Sequence, residues 1–202
     1  MTTCAAIVLA GGRSTRMGRD KATLMFDGAP LLARVVAAVG AVVDEVVVVA
    51  RPEQVLPELA PLRAGVAVRH AVDAADDRGP VEGLRAGLAS CDASIVYATA
   101  CDVPHLAPAF VAAVLAALRA APDAAVAVPV VEGRLHPLAA AYRRAPTLVA
   151  ARALLAAGSA RMTALVESLP HVVVPEADLR AADPTLASLT NVNTPADLDA
   201  LG

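Results

Sequence analysis

Residues 4–10 read Cys-Ala-Ala-Ile-Val-Leu-Ala and run directly into Gly11 and Gly12. The run is continuously apolar rather than alternating, which is typical of a strand buried on both faces of a parallel sheet. Paired glycines at its carboxyl end let the backbone approach a ligand closely and point successive N–H groups into one concavity. Because ligands of open α/β sheets bind beyond the carboxyl ends of the strands, this junction predicts both a fold class and the position of a site.

Similar apolar runs recur along the chain and alternate with helical segments. The predicted strands cover 4–10, 45–50, 65–70, 94–100, 124–130, 138–142 and 171–174. The predicted helices cover 30–40, 80–90, 107–121 and 145–157, each with a proline near its start, and a closing helix covers 194–201. Proline suits the first helical turn because the N–H that it lacks has no helical partner there. This alternation predicts one domain over 1–202 with a three-layer, Rossmann-like α/β fold and a mostly parallel sheet.

One strand of that sheet is expected to run against the others. The segment 138–142 follows the preceding strand after only about eight residues, with Gly133 between them. A parallel crossover needs a longer connection, so this spacing favours a hairpin. The sequence therefore predicts a sheet with one antiparallel strand.

Composition excludes several classes of protein. The 202-residue chain is 57% hydrophobic and 18% charged, which argues against intrinsic disorder. A net charge of −3 and only four aromatic residues, two Tyr and two Phe, argue against a nucleic-acid partner. No uncharged apolar run reaches the roughly 18–20 residues of a membrane span, so no membrane partner is expected.

The cysteines indicate a reduced setting. Cys4, Cys91 and Cys101 are odd in number and show no Cys-x-x-Cys spacing, which disfavours a disulfide framework or a structural zinc site. We expect them to be small buried hydrophobic residues. No positively charged segment precedes the first apolar run, so we predict a cytoplasmic protein without a signal peptide.

The glycine-rich junction continues into a cluster of cations. Arg13, Arg16, Arg19 and Lys21 fall within nine residues and are opposed only by Asp20. Backbone donors together with clustered cations suit a triphosphate. The segment has neither the Gly-Lys-Ser/Thr of a P-loop nor the GxGxxG of a dinucleotide fold. An ordinary glycine turn with solvated arginines is the alternative, but it does not explain a local charge excess in an acidic protein.

A carboxylate ends the fourth predicted strand. Residues 100–104 read Ala-Cys-Asp-Val-Pro, and an unpaired charge at Asp102 would be costly inside a core. Mg²⁺ prefers one or two carboxylates together with phosphate oxygens, so Asp102 is a candidate metal ligand. The alternative is that Asp102 caps the helix predicted over 107–121.

Residues 9–21 fit the pattern Leu-Ala-Gly-Gly-x-Ser-x-Arg-Met-Gly-x-Asp-Lys. This pattern resembles the signature of nucleotidyltransferases that act on molybdopterin, specifically the molybdenum cofactor guanylyltransferases. Gly-Gly rather than Ala-Gly, and Asp before Lys, favour the guanylyl over the cytidylyl branch. The resemblance implies a GT-A-like nucleotidyltransferase fold and the transfer of GMP from GTP to the terminal phosphate of molybdopterin, with release of pyrophosphate.

The resemblance also implies roles for individual residues. Arg16 and Lys21 would neutralise charge on the phosphates, and Asp102 lies in a match to the family's Cys-Asp-x-Pro metal site, where it would hold Mg²⁺. The nucleotide-binding residues implied are Leu9, Ala10, Gly11, Gly12, Lys21, Asp73 and Asp102.

The segment 70–84 resembles the family's acid followed by Gly-Pro-Leu-x-Gly. One carboxylate can accept from both N1–H and the exocyclic amine of guanine, and Asp73 lies at a suitable distance before Gly79-Pro80. Asp76 and Asp77 are local rivals, and a solvated acidic loop is the alternative for all three. Glu82, where the family usually has a small residue, and Arg51, where guanylyl members often carry Asn, depart from the pattern.

Two later segments resemble the family's acceptor side. Residues 134–138 carry its His-Pro before a strand, and residues 190–198 match its Asn-x-Asn-Thr-Pro-x-Asp-Leu. His136, Asn191 and Asn193 are therefore candidate acceptor-binding residues. Alternatively, the two asparagines only shape the turn.

The resemblance implies GTP and molybdopterin as substrates, Mg²⁺ as cofactor, and a monomer or weak homo-oligomer with transient contacts to cofactor-biosynthesis proteins or molybdoenzymes. The alternatives are a cytidylyltransferase using CTP, a sugar-1-phosphate nucleotidyltransferase, or a nucleotide-binding module without catalysis. A dinucleotide-dependent oxidoreductase is disfavoured because the chain lacks GxGxxG.

Overall fold

A computed structural model describes residues 3–11, 20–73, 79–192 and 197 of the chain. Its central feature is an eight-stranded sheet in which β1 is an interior strand. The strands of this sheet are β1 (Cys4–Leu9), β4 (Glu45–Ala50), β5 (Ala67–Val72), β6 (Ile95–Ala100), β7 (Val126–Val131), β8 (Arg134–Leu135), β9 (Ala139–Arg143) and β10 (His171–Val174). A separate two-stranded sheet pairs β2 (Met25–Phe26) with β3 (Ala29–Pro30).

The strand order explains why the first apolar run is buried on both faces. The order is β10-β7-β9-β6-β1-β4-β5, with β8 paired to β7. β1 lies between β4 and β6 and is parallel to both, with Ile7 opposite Val47 on one side and Ala98 on the other. The carboxyl ends of these three strands therefore meet at one edge of the sheet.

The antiparallel strand predicted from spacing is confirmed. β9 runs antiparallel to β6 and to β7, so the sheet is mixed. The connection contains the short strand β8, which the sequence analysis missed. Glu132 and Gly133 make the tight turn into it with φ angles of 51° and 74°, a conformation that glycine adopts without steric cost.

Helices cover both faces of the sheet and complete the predicted three layers. Their bounds are α1 (Leu31–Gly40), α2 (Pro80–Ser90), α3 (Pro108–Ala120), α4 (Arg144–Ala156), α5 (Met162–Glu167) and α6 (Glu176–Ala182). Side chains of α1, α3 and α6 form one core with Ala6 and Val8, while α2, α4 and α5 form the other with Ala5 and Ile7. Alternate residues of β1 thus enter opposite cores.

The expectation that every strand is buried on both faces is wrong at the sheet edges. In β5 only Ala71 is buried, and β10 buries only Val174. Each of these strands has a neighbour on one side only, so its backbone and side chains remain partly open to solvent. β5 covers Ala67–Val72 rather than 65–70, and because it ends at Val72, His70 lies inside the strand rather than at its end.

Other predictions have mixed outcomes. The three cysteines are buried and unpaired, as expected of small hydrophobic residues. The closing helix predicted over 194–201 lies outside the described residues, apart from Asp197. Within the described ranges, no helix has the length and apolar character needed to cross a bilayer.

The small sheet of β2 and β3 supports the turn after β6. The ring of Phe26 meets the ring of His105 edge-on at 5.2 Å between centroids, and the guanidinium of Arg34 lies 5.2 Å from the centre of the Phe26 ring. Arg34 Nε also donates to the carbonyl of Pro104 at 3.3 Å. These contacts brace the segment that follows Asp102.

Candidate functional site

A cavity of about 310 Å³ opens at the carboxyl ends of β1, β4 and β6, where the sequence analysis placed the site. Its wall includes Leu9, Ala10, Gly11, Lys21, Asp73 and Asp102. The structure thus brings together six of the predicted site residues. Gly12, Arg16 and Asn193 lie outside the described residues, as do Arg13, Arg19, Asp76 and Asp77.

An ion pair between Lys21 and Asp102 joins two distant segments across this cavity. Lys21 Nζ donates to Asp102 Oδ2 at 2.8 Å, and their side chains are only 19% and 12% exposed. Asn191 Nδ2 donates to the other carboxylate oxygen at 3.4 Å. The Asp102 carboxylate is thus met by a donor on each oxygen, and the low exposure makes the charge-assisted contact to Lys21 stronger than it would be in water.

Backbone hydrogen bonds fix Asp102 in place. The N–H of Cys101 donates to the carbonyl of Leu9 at 3.0 Å, and the N–H of Val192 donates to the carbonyl of Asp102 at 2.8 Å. The alternative role as a helix cap is wrong: the N-cap of α3 is Ala107, and no side chain caps it. The carboxylate of Asp102 is therefore available to the cavity rather than committed to a helix end.

Lys21 begins a short 3₁₀ helix, Lys21–Thr23, whose N-cap is Asp20. Asp20 Oδ1 accepts from the N–H of Ala22 at 3.0 Å. Its other oxygen, Oδ2, accepts from Arg51 Nη2 at 3.0 Å and from Gln54 Nε2 at 2.7 Å. We call Asp20, Arg51 and Gln54 the Asp20 clamp.

Gln54 was missed by sequence reasoning, and it connects three segments. Its Nε2 also donates to the carbonyl of Ala10 at 2.9 Å, while its Oε1 accepts from the N–H of Arg51 at 2.9 Å. A lone glutamine in a loop carries no pattern, and the partners lie 34 and 44 residues away along the chain. Only the pairing of β1 with β4 reveals the contact.

Gly11 has a role besides the one predicted. A Cβ atom at this position would lie 3.3 Å from both the backbone N and Cγ of Arg51. The small residue therefore lets the loop after β4 pack closely against the glycine junction. Nε of Arg51 is buried and finds no hydrogen-bond partner in the part of the chain that the structure describes.

On the opposite side of the cavity, Asp73 follows β5 and faces α2. Its N–H donates to the carbonyl of Ala50 at 2.8 Å, and its Oδ2 lies 3.6 Å from the place a Cβ of Gly83 would occupy. Gly79 turns the chain into α2 with a φ of 78°. The structure therefore places Asp73 in the cavity wall, and its base-binding role stays a prediction.

The family departure at Glu82 has a local explanation. Glu82 is buried in α2, and Arg85 Nε lies 3.0 Å from both of its carboxylate oxygens, with Nη2 2.6 Å from Oε1. The hydrogen bonds that Arg85 donates to Glu82 raise the pKa of Arg85, with a smaller contribution from the charge of Asp73. A buried glutamate is tolerable here because its partner lies one helical turn away.

The predicted acceptor residues occupy different places. His136 closes the turn before β9: its N–H donates to the carbonyl of Pro129 at 2.9 Å and its carbonyl accepts from Ala139 at 3.0 Å. Leu138, rather than His136, lies in the cavity wall. Burial, assisted by the charge of Arg134, lowers the pKa of His136. Its acceptor role stays a prediction, whereas Asn191 contacts Asp102.

The described part of the site has no evident nucleophile. Burial raises the pKa of Cys101, beside Asp102, to about 12, so this thiol is protonated and inert at neutral pH. Among the residues described, no group of three or more His, Cys, Asp or Glu side chains could hold a metal ion without help from a ligand. The arrangement suits binding and charge neutralisation rather than covalent catalysis.

Comparison with known proteins agrees with this geometry. Residues 6–178 match the family described as the MobA-like NTP transferase domain. A solved structure titled molybdopterin-guanine dinucleotide biosynthesis protein A, from Archaeoglobus fulgidus, shares the fold with a TM-score of 0.76 over 97% of this chain and 95% of that one, at 22% identity.

Two curated relatives are similar over nearly their whole length. A "probable molybdenum cofactor guanylyltransferase" of Natronomonas pharaonis is 36% identical over 96% of this chain and 94% of the relative. A "molybdenum cofactor guanylyltransferase" of Desulfosudis oleivorans is 34% identical over 98% and 94%. The chain belongs to the family of MobA-like NTP transferases.

Proposed function

We propose that this chain transfers GMP from GTP to the terminal phosphate of molybdopterin, releasing pyrophosphate and forming the guanine dinucleotide cofactor. The observation that carries the proposal is the Lys21–Asp102 pair, which lies in the cavity wall beside the glycine junction. The names of the curated relatives supply the substrates.

The reaction forms one bond and breaks one. An oxygen of the acceptor's terminal phosphate attacks the α-phosphorus of GTP, and the bond from that phosphorus to the bridging oxygen of pyrophosphate breaks. Such transfers depend on positioning and charge neutralisation, so a site without a nucleophilic side chain suffices.

Different residues of the chain would bind the phosphates and neutralise their charge. The backbone at Gly11 and Gly12 would cradle them, and the ammonium of Lys21 would stabilise the charge that develops on the leaving group. Arg16 would add a second cation. Low exposure at Lys21 strengthens its effect because little water screens the charge.

The donor set fits Mg²⁺ held jointly with the nucleotide. Mg²⁺ usually takes one or two carboxylates and completes its shell with phosphate oxygens and water. Asp102 supplies one carboxylate in the cavity wall, and the described residues contain no larger acidic or histidine cluster to hold the ion alone. When bound, Mg²⁺ would neutralise phosphate charge, and Asp102 is the residue that would hold it.

Asp73 would select the base. Its carboxylate can accept from N1–H and from the exocyclic amine of guanine, two donors that cytosine does not present together. Gly83 leaves space next to that carboxylate. His136, Asn191 and Asn193 remain the proposed acceptor side, and we propose that the chain works as a monomer or weak homo-oligomer.

The test is direct. The purified chain is incubated with GTP, Mg²⁺ and molybdopterin, and the dinucleotide product is detected by mass while pyrophosphate is measured separately. Parallel reactions replace GTP with CTP, replace molybdopterin with a sugar 1-phosphate, or omit Mg²⁺. We expect product only with GTP, molybdopterin and Mg²⁺ together. A preference for CTP or a sugar phosphate, or GTP binding without turnover, would overturn the proposal.

A further inference from the structure

We propose that Gln54 and Arg51 are positioning residues that act through Asp20 to aim Lys21 at Asp102. The inference deepens the proposed function, because Lys21 is the residue assigned there to the nucleotide phosphates. Neither Gln54 nor Arg51 is in the wall of the cavity itself.

The carboxamide of Gln54 makes three hydrogen bonds, using both of its N–H groups and its oxygen. Its two N–H groups serve Asp20 Oδ2 at 2.7 Å and the Ala10 carbonyl at 2.9 Å, and its oxygen accepts from the N–H of Arg51 at 2.9 Å. A primary amide is the side-chain group that can meet one carboxylate, one carbonyl and one N–H at once. A glutamate at this position would place a carboxylate oxygen, an acceptor, against two other acceptors, Asp20 Oδ2 and the Ala10 carbonyl.

The carboxylate of Asp20 is divided between two tasks. Oδ1 caps the 3₁₀ helix at the N–H of Ala22, and Oδ2 is held by Arg51 and Gln54. Because Lys21 follows Asp20 directly and begins that helix, the position of the carboxylate sets the direction in which the lysine leaves the backbone.

The clamp also ties Ala10 and Asp20 to one loop. Ala10 directly precedes the glycine junction and Asp20 directly precedes Lys21, and Gln54 contacts both. The loop after β4 is itself a tight turn, closed by the N–H of Gln54 donating to the carbonyl of Arg51 at 3.3 Å. The distance between the backbone at Ala10 and the ammonium of Lys21 is therefore set by residues 51–54.

Lys21 is the only lysine in the chain, which allows its position to be followed without the reaction. Protein labelled with ¹³C only at lysine gives a single set of side-chain NMR signals. The variant Asp102→Asn removes the carboxylate partner and sets the reference shift of the ε-methylene signal for a displaced lysine.

The decisive series is Asp20→Asn, Gln54→Glu and the double variant. The amide introduced by Asp20→Asn can satisfy either the cap or the clamp but not both, and the carboxylate introduced by Gln54→Glu repels Asp20 and the Ala10 carbonyl. In the double variant, the introduced amide can donate to the introduced carboxylate while its own oxygen still caps the helix. Glu58→Gln, an exposed change of charge in the same loop, is the control.

We expect each single variant to move the Lys21 signal toward that of Asp102→Asn, and the double variant to return it toward wild type. With GTP, kcat should fall by about 10- to 100-fold in the single variants, as expected for a misplaced group. It should recover in part in the double variant, in which the Ala10 carbonyl still lacks its donor. The KM for molybdopterin should not change, whereas a merely destabilised protein would lose activity through its folded fraction.

Two results would overturn the inference. One is an unmoved Lys21 signal in both single variants; the other is a double variant whose defects equal the sum of the single ones. The NMR arm needs no turnover, so a wild-type chain that makes no dinucleotide would defeat the proposed function and leave this test intact.

Discussion

The two sides of the cavity are built differently. On the side proposed to bind the phosphates, here called the phosphate side, Lys21 and Asp102 meet at 2.8 Å although they lie 81 residues apart, and the Asp20 clamp adds further contacts between distant segments. On the side proposed to bind the base, here called the base side, the wall depends on space. Gly83 leaves room beside the carboxylate of Asp73, and Gly79 permits the turn into α2. We infer that the phosphate side is sensitive to chemical substitution and the base side to added volume.

The largest expected effect breaks the phosphate side. Lys21→Ala or Asp102→Ala should lower kcat by about 100- to 1000-fold or more, because each removes a charge that acts on the phosphates in the proposed reaction. Pyrophosphate release measures the loss. Each change also leaves a mostly buried partner charge, so we expect a cost of about 1–3 kcal/mol in unfolding free energy without loss of the fold.

The matched control is Arg152→Ala, which removes an exposed cation on α4. It should leave both kcat and the melting temperature unchanged. If Lys21→Ala turned over near the wild-type rate, the phosphate side would not be sensitive to chemical substitution, and the contrast between the two sides would fail.

A conservative change sharpens the same point. Lys21→Arg keeps the charge but replaces a compact ammonium with a planar guanidinium, which does not fit the 2.8 Å contact in the same geometry. We expect kcat to fall on the order of 10- to 100-fold, measured as above. Arg152→Lys is the reciprocal control on the surface, and activity in Lys21→Arg equal to wild type would show that only net charge matters there.

The base side is tested by two glycines on the same helix. A Cβ at Gly83 would lie 3.2 Å from Leu9 Cδ2 and 3.6 Å from Asp73 Oδ2, whereas one at Gly87 would lie 2.7 Å from Ile7 Cγ2. Gly83→Ala should raise the KM for GTP several-fold. Its stability should change little, because the gain of about 1 kcal/mol in helix preference offsets the close contact with Leu9. Gly87→Ala should instead cost about 1–3 kcal/mol in unfolding free energy through overpacking.

Thermal unfolding and GTP titration separate these two outcomes. If Gly83→Ala lowered the melting temperature as much as Gly87→Ala and left the KM for GTP unchanged, the space beside Asp73 would belong to the core rather than to the site. The contrast between the two sides of the cavity would then fail.

The sequence predicted features whose cause is local. The apolar run ending at Gly11 identified an interior strand, and the acid after an apolar run identified Asp102 at the sheet edge, because strand burial and chain order follow from short patterns. The exposure of β5 was not predicted, because it follows from the position of the strand at the sheet edge, which the order of strands along the chain does not give.

The contacts of the Asp20 clamp could not be predicted from the sequence for a different reason. In the sequence, Asp20 is the one charge opposing a cationic loop and the Asp before Lys of the family pattern, and Arg51 is a departure from that pattern. Their pairing requires knowing that β4 lies next to β1, which places the loop after β4 beside the glycine junction. Asn191 likewise shows its contact with Asp102 only when segments 89 residues apart are brought together.

The smallest expected effect concerns His136, and it tests whether the turn before β9 is part of the site. Burial lowers the pKa of His136 below its ordinary value of 6.5, and the nearby charge of Arg134 adds to this. The unfolded chain therefore binds this proton more readily than the folded one. Stability that is present above pH 6.5 is lost as the pH falls through the lowered pKa of the folded state.

Removing the imidazole should remove that loss. Between about pH 7.5 and 5.0, we expect the melting temperature of the wild-type chain to fall by more than that of His136→Asn, by a small margin because the side chain is only partly buried. If His136 also contacts the acceptor, the same variant raises the KM for molybdopterin and leaves the KM for GTP unchanged. An unchanged acceptor KM combined with the altered pH response would make His136 a residue of the β8–β9 turn alone, and the acceptor would have to be held by residues nearer Asp102.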